Sequence, residues 1–175
     1  MTTHHQGASQ EDLDAVQAQL GREPRGVAAV AHRCPCGRPD VLMTEPALPD
    51  GTPFPTTFYA TCPKLTGAIS TLESTGLMKE MTDRLAADPE LAERYAAAHE
   101  DYLARRAELG EVEQIAGISA GGMPTRVKCL HVLAAHSLAV GPGVNPLGDE
   151  TLALLDDWWS GGSCVPAQTA SPERA

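Results

Sequence analysis

The chain reads as an α+β domain, a small antiparallel sheet of about three strands packed on a bundle of about five helices. Three observations predict this. Short stretches of β-formers crowd the region between Val27 and Thr61. Apolar residues at three- and four-residue spacing dominate the chain beyond Thr61. Gly, Pro and Asp mark each change of period. Strands that precede the helices, rather than alternate with them, argue against a parallel sheet.

Residues 1–8 are polar and are expected to form a disordered tail. Ser9 is an N-cap candidate for a short helix with Glu11 and Asp12 in its first turn, Leu13, Val16 and Leu20 on one face, and Gly21 as its stop. Residues 27–33 and 41–45 read as two strands around a tight turn, Cys34-Pro35-Cys36-Gly37-Arg38-Pro39-Asp40. A proline-rich loop with a Pro49-Asp50-Gly51 turn leads to a third strand over 56–61. Pro63 suits the first position of a helix that buries Leu65, Ile69 and Leu72 and stops at Gly76. Leu77, Met81 and Leu85 mark another. Asp88-Pro89-Glu90 starts a third, with Leu91, Tyr95, Ala98 and Tyr102 as its stripe. A glycine-rich loop over 115–124 precedes a helix expected from Pro124 to Val140. A rigid loop, 141–148, then leads to a last helix expected over 149–159.

The 175 residues, 42% of them apolar, suit one domain over 9–159 with a second tail, 160–175. No apolar run reaches the roughly 18 residues of a membrane span. The nearest, 130–140, is interrupted by His131 and His136. Nothing at the start resembles an export signal, so a cytoplasmic location is expected. A net charge of −10 excludes non-specific binding to nucleic acid. Five cysteines in such a chain point to reduced thiols, metal ligands or reactive groups rather than disulfides. Cys164, in a Gly/Ser/Pro/Ala-rich end, is expected to be incidental.

Four stretches carry unusual chemistry. Cys34-Pro35-Cys36-Gly37 is like a zinc knuckle with one residue removed. In a straight strand two such residues stand about 6.6 Å apart, so a shared metal requires a bend at Pro35 and Gly37. Cys62 precedes the helix opened by Pro63, where the helix dipole favours a thiolate. It is a candidate nucleophile or metal ligand, and a packing residue is an equally good reading. Gly121 and Gly122 lead towards Arg126, Lys128, Cys129 and His131. A glycine-rich approach to a helix start, with two bases on an acidic chain, fits an anion; a simple cap with surface charges fits as well. Asn145, in the rigid loop, offers an amide to the same pocket, with Asp149 as the expected cap of the last helix.

Together these segments, with Pro53-Phe54-Pro55-Thr56, Phe58-Tyr59 and Gly141-Pro142-Gly143-Val144-Asn145-Pro146, resemble the bacterial domain-of-unknown-function 501 family over residues 21–155, most specifically at 126–131. The resemblance implies no defined activity. It implies a cytoplasmic housekeeping role and, through family gene neighbours that include an exopolyphosphatase, phosphate chemistry. It further implies that the Thr61-Cys62-Pro63 and 128–131 segments are more general than Cys34-Pro35-Cys36.

Two functions are expected on these grounds. The first is a small-molecule site for a phosphate- or carboxylate-bearing metabolite. Gly121, Gly122, Arg126, Lys128 and Asn145 would bind it, with His131 and Cys62 as catalytic groups. The second is a structural metal site, zinc or an iron–sulfur cluster, on Cys34, Cys36, Cys62 and Cys129, in a protein that acts through a protein partner.

Overall fold

A computed structural model describes residues 7–165; of the expected tails, 1–8 and 160–175, residues 1–6 and 166–175 lie outside the described residues. Within them the chain forms six α-helices and one three-stranded antiparallel sheet, ordered β1-β2-β3. Among the described residues no helix is long and apolar enough to cross a membrane.

Helix α1 (Gln10–Leu20) starts as its sequence dictates. Ser9 Oγ accepts from the Asp12 amide and Asp12 accepts from the Ser9 amide, a reciprocal capping box, and Gly21 closes the helix at φ 73°. Asp12 also receives both guanidinium nitrogens of Arg33, at 2.7 and 2.9 Å. Those hydrogen bonds are the main reason its carboxyl falls to about 2. This bidentate pair docks α1 on strand β1 (Val27–Arg33). Strand β2 (Pro39–Thr44) is central and wholly buried, and β3 (Phe58–Ala60) pairs with it through Val41↔Ala60 and Met43↔Phe58. Its central position accounts for the lack of polar alternation along β2.

Helix α2 (Pro63–Glu73) has Cys62 as N-cap residue, and α3 (Leu77–Ala87) comes after a short turn. The Asp88 carboxylate caps α4 (Pro89–Leu109) by accepting from the Glu90 and Leu91 amides, both at 3.1 Å. Helix α5 (Leu130–Val140) is buried from Leu130 to Ser137 apart from His131. It packs against the sheet, α2 and α6 (Pro146–Ala153), so its apolar residues surround it rather than forming a stripe.

Two helix starts differ from expectation. Helix α5 begins at Leu130 rather than Pro124. Residues 121–128 instead form a tight loop in which the Arg126 and Lys128 amides donate to the Gly122 and Gly121 carbonyls, and the Tyr95 hydroxyl donates to the Arg126 carbonyl at 3.0 Å. Gly122 is at φ 94°, and a Cβ there would lie 2.7 Å from the Arg126 carbonyl oxygen. The glycines therefore serve this chain crossing. Helix α6 begins at Pro146, with Asn145 as its cap, and ends at Ala153. Proline at the first helical position, behind an asparagine cap, outweighs the later Asp149 signal. Asp149 accepts instead from the Gly143 amide.

The core lies between the sheet and α5. There the Tyr102 hydroxyl oxygen, fully buried, accepts from the backbone amides of Thr57 (2.7 Å) and Phe58 (3.3 Å). Tyr102→Phe would strand both amides away from water. It is expected to cost about 1–3 kcal/mol, read as a lower urea midpoint with an unchanged denaturant slope; a neutral result would mean that the strand start is held by other contacts.

The chain after α6 returns to the core instead of leaving it. Lys64 Nζ donates to the Gly162 carbonyl at 3.0 Å, and Cys164 is 3% exposed.

Candidate functional sites

The β1–β2 turn bends as a metal knuckle requires. The Gly37 amide donates to the Cys34 carbonyl at 2.7 Å, with Gly37 at φ 89°, and the Cys34 amide donates to the Arg38 carbonyl. Pro35 and Gly37 supply these angles. The turn brings Cys34 and Cys36 together, and Cys164 joins them. The three sulfurs lie within 4.8 Å of one another, and Cys36 and Cys164 are 3.2 Å apart. Cys62, fully buried at the start of α2, neighbours Cys164 but stands outside the group of three whose sulfurs all lie within 4.8 Å of one another. Gln19 Nε2, from α1, donates to Cys164 at 3.3 Å and to the Pro39 carbonyl at 2.7 Å.

The thiols are unequal. Burial pushes Cys34 up to about 11 and pushes Cys164 up further. Burial acts in the same direction on Cys36. Hydrogen bonds from the Cys164 and Arg38 backbone and from its thiol neighbours outweigh it and bring Cys36 down to about 7. Asp40, fully buried on β2, lies close to the cluster and receives His32 Nδ1 at 2.7 Å.

Cys129 stands elsewhere, with Glu73 and His131. One donor atom from each lies within 4.8 Å of the others. Thr66, Ser70 and Glu73 share one face of α2 at helical spacing, and the His131 ring lies across it. Nε2 is 3.1 Å from the Thr66 carbonyl and 3.3 Å from Ser70 Oγ; Nδ1 is 3.1 Å from Glu73 Oε1 and 3.9 Å from Cys129 Sγ. A carbonyl only accepts, so Nε2 carries a hydrogen. Nδ1 then faces Glu73 Oε1, and a proton is shared between them. Held on the ring, that proton makes it an imidazolium. The Cys129 contact raises the ring most, burial opposes it, and the Glu73 charge adds, for a result of about 9.

The remaining expected site residues fall outside these clusters. Arg126 and Lys128 flank buried Val127 and are exposed. Among the described residues neither makes an ion pair. The backbone N–H at the start of α5 is taken by the chain itself, since the Leu130 amide donates to Glu73 at 2.8 Å. Gly121 and Gly122 pack against residues 126–132. Asn145 is fully buried. Its oxygen caps α6 at the Gly148 amide (2.9 Å) and its nitrogen faces His136 Nδ1 at 3.2 Å. His136 Nε2 therefore donates to Asp101, 2.8 Å away. Burial would raise the Asp101 carboxyl, but His136 and Arg105 outweigh it and hold it at about 2.

Sequence reasoning misses Cys164, Glu73 and Asp40. Cys164 comes after a low-complexity stretch and carries no local signal. Glu73 does carry one, because it shares a helical face with Thr66 and Ser70. A cavity of about 470 Å³, lined by Gln19, Tyr59, Thr61, Thr66, Cys129 and His131 among others, lies between the two clusters.

A family model described as "Protein of unknown function (DUF501)" matches residues 30–153, more than half of the chain. The matched region holds Cys34, Cys36, Cys62, Glu73, Cys129 and His131, and Cys164 lies beyond it. No curated protein and no solved structure matches the chain.

Proposed function

The chain belongs to the DUF501 family, and because that family's description names no activity, we propose from the geometry that the protein is metal-binding, with a structural zinc centre on Cys34, Cys36, Cys62 and Cys164. The observation that carries this is the convergence of thiols from separate segments: Cys34 and Cys36 of the hairpin turn meet Cys164 of the returning C-terminal stretch, Cys62 at the start of α2 neighbours Cys164, and α1 donates through Gln19.

The spacing suits a single ion. Zn–S bonds of about 2.3 Å in a tetrahedron set the sulfurs about 3.8 Å apart. Among Cys34, Cys36 and Cys164 the separations of 3.2 Å and within 4.8 Å bracket that value, and Cys62, beside Cys164, is the nearest thiol to supply the fourth ligand. A [4Fe–4S] cluster anchors each thiolate on a different iron and spreads them further. Four protein ligands and no open position make a structural centre. In this centre the ion ties the C-terminal stretch to the sheet, and the protein acts through a binding surface that the ion holds in shape. The anionic-ligand reading has less behind it, because Glu73 already occupies the helix start and Arg126 and Lys128 do not line the cavity.

Elemental analysis of protein carrying Cys129→Ser, which leaves this cluster whole, tests the assignment. About one zinc per chain is expected, and it should be lost on adding Cys34→Ser with Cys36→Ser. Metal-free protein after anaerobic purification would end the proposal.

A further inference from the structure

The second cluster, at the other end of α2, differs in kind. Cys62 precedes α2 and Glu73 ends it, so their backbones stand roughly 16 Å apart along the helix. We infer that Glu73, Cys129 and His131 form a second metal site, for a zinc-class divalent ion, whose remaining coordination position opens on the cavity between α1, β3, α2 and α5.

Four observations carry this. The first is the donor set: a carboxylate, a thiol and an imidazole, each with an established preference for zinc and its neighbours. The second is spacing. Bonds of about 2.0 Å to nitrogen and oxygen and 2.3 Å to sulfur place tetrahedral ligand atoms roughly 3.3–3.6 Å apart. The Nδ1–Oε1 and Nδ1–Sγ distances are 3.1 and 3.9 Å. The third is the partner of the other ring nitrogen. Metal-bound histidines fix their orientation by donating the second N–H to a carbonyl or carboxylate, and His131 Nε2 donates to the Thr66 carbonyl. This leaves Nδ1 to face the other two donors. The fourth is the cavity. Cys129 and His131 line it, and so does Thr61, which is 2% exposed and whose Oγ1 has no hydrogen-bond partner.

Three protein ligands with an open position are the pattern of a catalytic rather than a structural zinc site. The open position would take an oxygen donor, either water or a small ligand with a carbonyl, carboxylate or hydroxamate group. All three ligands lie within residues 30–153.

The test uses the full chain and separates the two centres. Wild-type protein is expected to bind about two zinc ions per chain, and Cys129→Ser combined with His131→Ala about one. Glu73→Gln alone should weaken the second site by at least about tenfold, as even outer partners of metal ligands do on removal. In cobalt-substituted protein, acetohydroxamate should change the visible spectrum of the wild type and leave that of the double variant unchanged. Equal zinc content in wild type and double variant, with no spectral response to acetohydroxamate, overturns the inference whatever the thiol cluster does. If the thiol cluster alone is metal-free, the wild type holds about one ion and the double variant none, which upholds this site and removes the structural centre. Circular dichroism confirms that each variant is folded before its metal is counted.

Discussion

Chelation at neutral pH is expected to lower the melting temperature by roughly 8–16 °C. An ion present at a thousand times its dissociation constant adds about 4 kcal/mol to a folded state that alone binds it. Each kcal/mol moves the midpoint of a domain of this size by roughly 2–4 °C. The four-thiol cluster is the source of most of this effect, because it joins segments far apart in the chain: Cys36 and Cys164 are 128 positions apart. Cys164→Ser should reproduce the loss. It should also expose residues 161–165 to proteolysis, since the Cys164 contacts and the Lys64–Gly162 hydrogen bond hold that stretch to the body. Cys129→Ser should leave the cluster-dependent part intact. A melting temperature indifferent to both chelation and Cys164→Ser would mean that the four thiols are packing groups.

Gly148→Ala is expected to cost at least about 3 kcal/mol, at the upper end of what overpacking a core produces. A methyl group there would collide with the Leu133 carbonyl and Ser137 Oγ on α5. Neither obstacle is the far end of a flexible side chain, so α5 and α6 must move apart. That movement reaches further than one contact. The Gly148 amide holds the Asn145 oxygen, Asn145 orients His136, and His136 donates to Asp101. His136 is also stacked on Phe58, with ring centroids 5.6 Å apart. Breaking the first link leaves buried polar groups without partners, each costing about 1–3 kcal/mol. Gly67→Ala is the control. It sits within α2 with nothing within 4 Å of the added carbon, and should be neutral or stabilising by a few tenths of a kcal/mol to about 1. Similar urea midpoints for the two variants would show that the helix crossing can relax.

The elements legible in the residues alone are those whose signals act over a few positions. Ser9 and Asp88 cap their helices through amides two or three positions away. Pro63 starts α2, and the turn at Pro35 and Gly37 folds two cysteines together. The α+β class rests on such local periods and stops, and so does the singling out of Cys34, Cys36 and Cys62. The remainder is set by contacts between distant segments. Pro124 reads as a helix start, but the loop before α5 is fixed by the approach of residues 121–122 to 126–128 and by Tyr95 from α4. Cys129 and Cys164 cannot be told apart locally. One is the N-cap residue of a central helix and meets a carboxylate on α2; the other returns from the C-terminal stretch to three distant thiols. Glu73 has only helical spacing to recommend it until His131 is laid across its face. Capping and turn chemistry depend on the φ, ψ and hydrogen bonds of neighbouring residues, which a sequence states directly. A metal site depends on where separate segments come to rest, and that is fixed by the packing of the whole core.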